Sequence, residues 1–536
     1  MLGIVLRRLP AAAVIAAMFG AGSAAAGNAS LNLVLVIDGL RPDSITADET
    51  PHLWRLRQEG VNFLNGHAVF PTVTRANATA IATGTYPNRN GMFGNTLYVR
   101  AVNPNTAFSN RDHQNLLRLD AVTNGGMVLA KSLADILAEH GKTLAVVSSG
   151  STGAALLSNP RAPKGVGILI NGYWEAGVRV AFPDAVNDAI LRRFPPAPRL
   201  GGARDSFIEP LNWTQQVLRD YVLPELKPDV IINWLTEPDH LQHALGAGSP
   251  EARAAIRNGD REIGLLLDRL RELGRAETTN IIVVSDHGFG HSSFGVNVAG
   301  ELIGAGLKEA PNSDDVVIAS SGQTIALHVR NRDPERIGAI VRFLQRQPWA
   351  GVIFMAGKSD GDRTGAAHGR EPGTFALEFV HLAHAERGPD IVFTFPWSSA
   401  KNVFGVAGID HTAASTTGPL AGTAGDHGGM SPWTVRNTFL AWGVDFKRAA
   451  AVRTPASNVD LVPTLLTLMN LEKQVDLGQF DGRVLDEALV GGPDEEMVPV
   501  QTQTYFAEAA DGNYRAALQV TELGRQRYVD KSWRVR

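Results

Sequence analysis

Four stretches of this chain are apolar at consecutive positions rather than alternate ones: LNLVLVIDG (31–39), TLAVVSSGS (143–151), DVIINWLTEPD (229–239) and NIIVVSDHG (280–288). A strand with one wet face alternates polar and apolar residues, so an unbroken run must be covered on both faces. Helical patterns lie between the runs. MVLAKSLADILAEHG (127–141) ends at a glycine, and REIGLLLDRLREL (261–273) spaces Ile263, Leu266, Leu267 and Leu270 along one face before Gly274. This alternation predicts an α/β fold with a mostly parallel central sheet and helices on both faces.

The rhythm breaks between residues 289 and 400. There QTIALHV, DPERIGAIVRFLQRQ and GVIFMAG read as a β-α-β unit, the centre of a small inserted α+β cap. The core is therefore expected in two parts, 27–288 and 401–495. WTVRNTFLAWG and NVDLVPTLLTLMN supply a returning strand and a final helix. Residues 496–536 form a tail that reads as a hairpin turning near Gly524.

Residues 1–26 differ from the rest. Arg7 and Arg8, an apolar run and small residues at Ala24–Ala26 have the layout of a secretory signal peptide, so an exported, periplasmic or secreted protein is expected. The run is interrupted by Gly20, Gly22 and Ser23 and is short for a span, and no later segment is long and apolar enough, so no stable membrane insertion is expected. With 50 Lys and Arg against 54 Asp and Glu, a net charge of −4, there is no global basic surface for a nucleic acid duplex. The absence of cysteine excludes thiolate nucleophiles, thiolate-bound zinc and iron–sulfur clusters.

Three of the four apolar runs end in side chains able to hold metal: Asp38, Asp239, and Asp286 with His287. Sites in open parallel sheets form at the carboxyl ends of strands, so these residues should converge. A single aspartate after a strand is often only a turn or helix cap. The set carries more weight than its members. In EPDHLQH, Asp239 and His243 stand four apart and share a helical face, whereas His240 points elsewhere. Carboxylates and imidazoles without thiolates suit zinc or another borderline divalent metal. Thr74 precedes ANATAIATG, a small-residue helix, where a threonine either caps the helix or places a hydroxyl at an anion site. His427, in GDHGG (425–429), is on its own just a loop histidine.

Read together and in order, VIDGLRPD, FPTVT, TGTYPN, GMFGN, TEPDHLQH, VVSDHG and GDHGG resemble the alkaline phosphatase superfamily. Within it, the type I phosphodiesterase/nucleotide pyrophosphatase family is most similar, over residues 31 to about 490. The resemblance implies two zinc ions (Zn2+) per chain. Asp38, Asp286, His287 and the Thr74 oxygen would hold one; Asp239, His243 and His427 would hold the other. It also implies that Thr74 attacks phosphorus and is transiently phosphorylated. Asn95 would donate to a non-bridging phosphate oxygen, helped by the backbone N–H of Thr74 or its neighbour. The expected substrate is a small-molecule phosphate ester cleaved at a phosphodiester or pyrophosphate bond. The alternatives within the superfamily are a phosphomonoesterase and a phosphonate-ester hydrolase.

The sequence departs from the family at Arg75, where members that cleave nucleotides carry an aromatic residue stacking on the base. Arg75 is therefore expected to bind an anionic part of the substrate, and Trp174 is the aromatic that could substitute. Threonine-dependent monoesterases carry a Lys-x-Arg pair after the strand that here reads VVSSGSTGAA, which tilts the reading toward diesters. TRAN lacks the C/S-x-P-x-R pattern of sulfatases. Of the remaining histidines, His291 and His411 are the candidates for a pocket role. A metal-binding protein without activity is the contrasting class, and a complete set of ligands plus nucleophile argues against it.

Overall fold

The structure is a computed structural model that describes residues 28–172, 179–199, 206–357, 367–420 and 425–535. The signal segment 1–26 and Trp174 lie outside them. The central sheet has nine strands: β1 (Leu31–Ile37), β2 (Val61–Phe63), β3 (Leu144–Ser148), β4 (Ile168–Asn171), β5 (Ala181–Phe182), β6 (Val230–Leu235), β7 (Thr279–Val284), β8 (Phe439–Gly443) and β9 (Ala450–Val452). Their spatial order is β9-β2-β8-β7-β1-β6-β3-β4-β5. The block β7-β1-β6-β3-β4 is parallel throughout, and β8 runs antiparallel to β7.

The two-faced apolar runs have a direct packing consequence. On β1, Leu31, Leu33, Leu35 and Ile37 enter one hydrophobic core, while Val34 and Val36 enter the other. β7 divides likewise, Ile281 and Val283 against Ile282 and Val284. Each such fully buried aliphatic side chain contributes about 1.5–3 kcal/mol of transfer free energy. A polar substitution at any of these positions would therefore disrupt one layer or the other. The result is the mixed α/β fold that the alternation of runs predicts.

Two helices differ from their expected extents. Only Leu133–Glu139 of the 127–141 stretch is helical, started by a capping box between Ser132 and Asp135. The preceding turn cannot form because Arg387 binds the carbonyls of Gly126 and Met127, and Leu129 N–H donates to Asn90. The 261–273 stretch is the second half of a helix spanning Pro250–Glu272, with Ser249 as its cap and Pro250 in its first turn.

The segment after residue 288 builds two further five-stranded sheets. QTIALHV and GVIFMAG contribute Thr324–Val329 and Ile353–Met355, joined through the helix Pro334–Arg346. These two strands do not pair with each other. Ile391–Thr394 lies between them, antiparallel to both. In the other sheet Gly290–Val296 pairs in parallel with Ala407–Ala413, which pairs in turn with Trp397–Lys401 across residue 400. The tail is a three-stranded antiparallel sheet, Gln501–Glu508, Arg515–Leu523 and Gln526–Val535, turning at Gly524. It therefore has one strand more than a hairpin. His67 to Asp530 (2.8 Å) and Ser532 N–H to the Met430 carbonyl (3.0 Å) tie it to the core.

Candidate active site

Strand register brings the ligand-type side chains together. Val36 lies opposite Val284 and Ile37 opposite Leu235, so β1, β7 and β6 end at one level. Asp38 leaves β1 there, Asp286 and His287 follow β7, and Asp239 opens the helix Asp239–Leu245 after β6. Asp239 and His243 approach to 3.6 Å across one helical turn. His427 comes from far along the chain but is not in a loose loop. Gly425–Asp426 pairs with Gly290–His291, and the His427 Nε2 lies 3.6 Å from Asp239 Oδ1.

Glycine is required at two points. Gly39 has φ +67°, and its N–H donates to Asp286 Oδ1 at 3.1 Å; a Cβ there would lie 3.2 Å from the Asp239 side chain. Gly428 has φ +109°, and a Cβ would sit 2.3 Å from the Ser321 carbonyl. The glycines of VIDG and GDHGG thus let main chain press against the site.

The three histidines are aimed in the same way. Nδ1 of His243 bonds the Gly425 carbonyl (2.9 Å), that of His287 the Gly288 carbonyl (2.8 Å), and that of His427 the Thr72 carbonyl (2.9 Å). A carbonyl only accepts, so each Nδ1 carries a proton and each Nε2 is the nitrogen turned inward. The carboxylates are divided similarly. Asp38 Oδ2 accepts from the Trp234 indole (3.0 Å), and Asp286 Oδ1 accepts from Gly39 N–H and His287 N–H. Their other oxygens, Asp38 Oδ1 and Asp286 Oδ2, are buried without a hydrogen-bond partner, as is Asp239 Oδ1.

Imidazole Nε2 atoms and carboxylate oxygens therefore face one another. His287 Nε2 lies 3.1 Å from Asp286 Oδ2, 3.5 Å from Asp38 Oδ1 and 3.9 Å from Asp239 Oδ1. Burial pushes the Asp38 carboxyl well above its usual range, and Asp286 and Asp239 push it further. Burial, then His287 and His243, hold His427 well below the usual imidazole range. Only positive charge among these atoms relieves the arrangement, and buried oxygen and nitrogen donors without sulfur suit a borderline divalent cation. The donors fall into overlapping groups: Asp38, Asp286 and His287; Asp239, His287 and His427; and His243, Asp426 and His427. The donor set fits metal.

Thr74 is the first residue of the helix Thr74–Thr83, and Val73 occupies the cap position. Its hydroxyl is not used as a cap and lies 3.4 Å from His287 Nε2. Asn95 Oδ1 accepts from Arg75 N–H at 3.1 Å. That bond engages the neighbouring backbone donor expected to face phosphate oxygen, leaving the Thr74 N–H for that role. Arg75 lies beside the site, where burial lowers its guanidinium to about 10, so it stays charged at neutral pH.

His240 packs edge-on against Phe207, with ring centres 4.6 Å apart. His411 packs near Phe294, and His291 is buried in the strand paired with Gly425. Sequence reasoning missed Asp426, which reads as a turn aspartate inside GDHGG, and Trp234, which reads as a core aromatic in a strand. It also missed Glu237, whose buried carboxylate accepts Phe207 N–H and Leu241 N–H and so fixes the turn bearing Asp239. Burial raises Glu237 to about 7.

A sheet with carboxylates and imidazoles gathered at its carboxyl edge, beside a hydroxyl opening a helix, defines an α/β protein of the alkaline-phosphatase-like class. Murine ectonucleotide pyrophosphatase/phosphodiesterase 5 shares the fold, with a TM-score of 0.52 and 17% identity over 82% of this chain and 95% of that one. That structure is of an inactive variant in complex with AMP. Residues 32–392 match the family model described as type I phosphodiesterase/nucleotide pyrophosphatase, and the chain belongs to that family. Mouse ectonucleotide pyrophosphatase/phosphodiesterase family member 1 is 24% identical over 263 residues, 49% of this chain and 24% of the relative. Venom phosphodiesterase of Naja atra is 24% identical over 259 residues, 48% and 26% respectively. The chain thus spans about a quarter of the length of the curated relatives it matches.

Proposed function

We propose that this protein is an exported phosphohydrolase that cleaves phosphodiester or pyrophosphate bonds in small molecules through a phosphothreonine intermediate. The observation that carries the reading is the convergence of three partnerless carboxylate oxygens and three inward Nε2 atoms on the Thr74 hydroxyl side of the sheet. Two zinc ions would be held by Asp38, Asp286 and His287 and by Asp239, His243 and His427. Bound there, they supply Lewis-acid stabilisation of oxygen charge and ease loss of the hydroxyl proton.

The chain's own residues supply the rest. Thr74 Oγ forms a bond to phosphorus as the bond to the leaving oxygen breaks; water later cleaves the Thr74 Oγ–P bond and restores the hydroxyl. The first turn of Thr74–Thr83 directs its N–H groups and positive dipole end toward phosphate. The Asn95 amide NH2, turned away from the Arg75 N–H by the bond that Oδ1 accepts, donates to a non-bridging oxygen. The layout of residues 1–26 supports export, and no helix among the described residues is long and apolar enough to cross a membrane. The balanced charge argues against duplex nucleic acid as substrate.

The test is Thr74→Ala in zinc-loaded protein. Turnover of bis-p-nitrophenyl phosphate should fall below about a hundredth of wild type, a barrier increase of about 2.7 kcal/mol or more, with metal content and circular dichroism unchanged. A variant that keeps a tenth of the rate would indicate direct attack by water. A phosphomonoesterase is the second reading, favoured by the charged guanidinium of Arg75 beside the site.

A further inference from the structure

Two other arginines with largely buried side chains are held by both carboxylates and carbonyls. Arg41 binds Asp43 and the carbonyls of Phe289 and Ala407, and Arg483 binds Glu487 and the carbonyls of Val484 and Pro455. Arg75 is different. Its Nε is buried with no hydrogen-bond partner, and among the described residues its guanidinium is in no ion pair. A second arginine in no ion pair among the described residues, the exposed Arg111, is brought toward it by the main chain.

The backbone holds both around Asn95. Arg75 N–H donates to Asn95 Oδ1 (3.1 Å), and Asn110 N–H donates to the Asn95 carbonyl (3.2 Å). The Asn110 side chain bonds the Gly94 carbonyl (2.8 Å), while the Arg111 carbonyl accepts from Gly153 N–H (2.8 Å). Gly153 packs so tightly that a Cβ would lie 1.9 Å from the Asn110 carbonyl. Arg75, with a buried N–H unanswered, feels the site carboxylates Asp38, Asp239 and Asp286 as well as the like charge of Arg111, and a phosphate oxygen between the two arginines would answer that N–H. A guanidinium pair matches the geometry of phosphate oxygens, which accept in parallel pairs.

We infer that Arg75 and Arg111 form a clamp for a doubly charged phosphoryl group next to Thr74. The clamp rests on the reading of Thr74 as nucleophile and narrows its substrates to those carrying a phosphate dianion. That dianion is either the scissile group of a monoester or a second, terminal phosphate on the arm the enzyme retains. An aromatic residue in place of Arg75 would favour a neutral flat group instead; the clamp selects charge.

The experiment uses zinc-loaded full-length protein and four substrates: p-nitrophenyl phosphate, bis-p-nitrophenyl phosphate, and thymidine 5′-(p-nitrophenyl phosphate) with and without a 3′-phosphate. In Arg75→Ala and in Arg111→Ala, the kcat/KM ratio of a dianionic to a monoanionic substrate should fall about ten- to a hundredfold, as for loss of a charged hydrogen bond. The inhibition constant of inorganic phosphate should rise by a similar factor, and Arg75→Lys should recover part of the loss. A fall confined to p-nitrophenyl phosphate places the clamp on the scissile group; one confined to the 3′-phosphorylated diester places it on the retained arm. Equal losses on all four substrates, or an unchanged ratio in either variant, would overturn the clamp. Arg111 is exposed, so its variant decides the matter even if Arg75→Ala fails to fold. Thr74→Ala, run in parallel, separates failure of the clamp from failure of the nucleophile assignment.

Discussion

The two halves of the site are built from similar donors in different surroundings. In the half formed by Asp38, Asp286 and His287, the side chains of Asp286 and His287 are 0% exposed, and each carboxylate has one oxygen held by N–H donors. In the half formed by Asp239, His243 and His427, the His243 side chain is 37% exposed and Asp239 is half-buried. His427 in the second, more open half is itself buried, so the greater exposure of that half comes from His243 and, less, from Asp239. Burial makes the first half costly to leave without positive charge and the second easy for water and ligand to reach. Under the proposed two-metal reading, the first half would set stability and affinity for its ion, and ion exchange would belong to the second.

Asp286→Ala against His243→Ala is the sharpest way to break that contrast. The first leaves Gly39 N–H and His287 N–H without an acceptor, at about 1–3 kcal/mol each, and should lower the urea midpoint of the metal-loaded protein. The second should lower bound zinc toward one equivalent with little change in midpoint. Equal shifts in midpoint would mean that the halves are mechanically alike.

Trp234→Phe should have a smaller effect, confined to the closed half. It removes the 3.0 Å donor to Asp38 Oδ2 while keeping an aromatic in the core. Loss of such a supporting bond typically costs ten- to a hundredfold in metal affinity, which competition with a chromogenic chelator would read.

A pH-dependent effect concerns Asp410, on the strand beside the open half. Burial raises its carboxyl to about 8. The unfolded chain releases this proton near pH 4 while the folded protein keeps it to about 8. Wild-type stability from this group is therefore full at low pH, falls as pH rises through that window, and is flat above it. Asp410→Asn lacks the titration, so its Tm relative to wild type should rise between pH 5 and about 8 in chelator. A constant difference would place the carboxyl in a wetter setting.

The strands of the core were legible because burial on both faces leaves runs such as LNLVLVI that no exposed strand can carry. Asp38, Asp286 and His287 were legible because they end those runs. Partners that meet only in three dimensions were not. Nothing near MVLAKSLADILAEHG announces that Arg387 will take the carbonyls its first turn needs. Nor does QTIALHV reveal that Ile391–Thr394 will separate it from GVIFMAG. Asp426 looks like any turn aspartate, and Arg111 like any surface arginine, until folding brings them toward His243 and Arg75.

The carbonyls of Thr72, Gly288 and Gly425 that orient the three imidazoles belong to the main chain. Aim is thus encoded in backbone path rather than in side-chain identity. A substitution at Thr72 that preserves the path leaves His427 pointing as before. Rerouting the loop by one residue would turn the ring away with every ligand still present in the sequence. For anyone transplanting this site onto another scaffold, copying the six donor residues would be insufficient; the three peptide planes behind them are the part to reproduce.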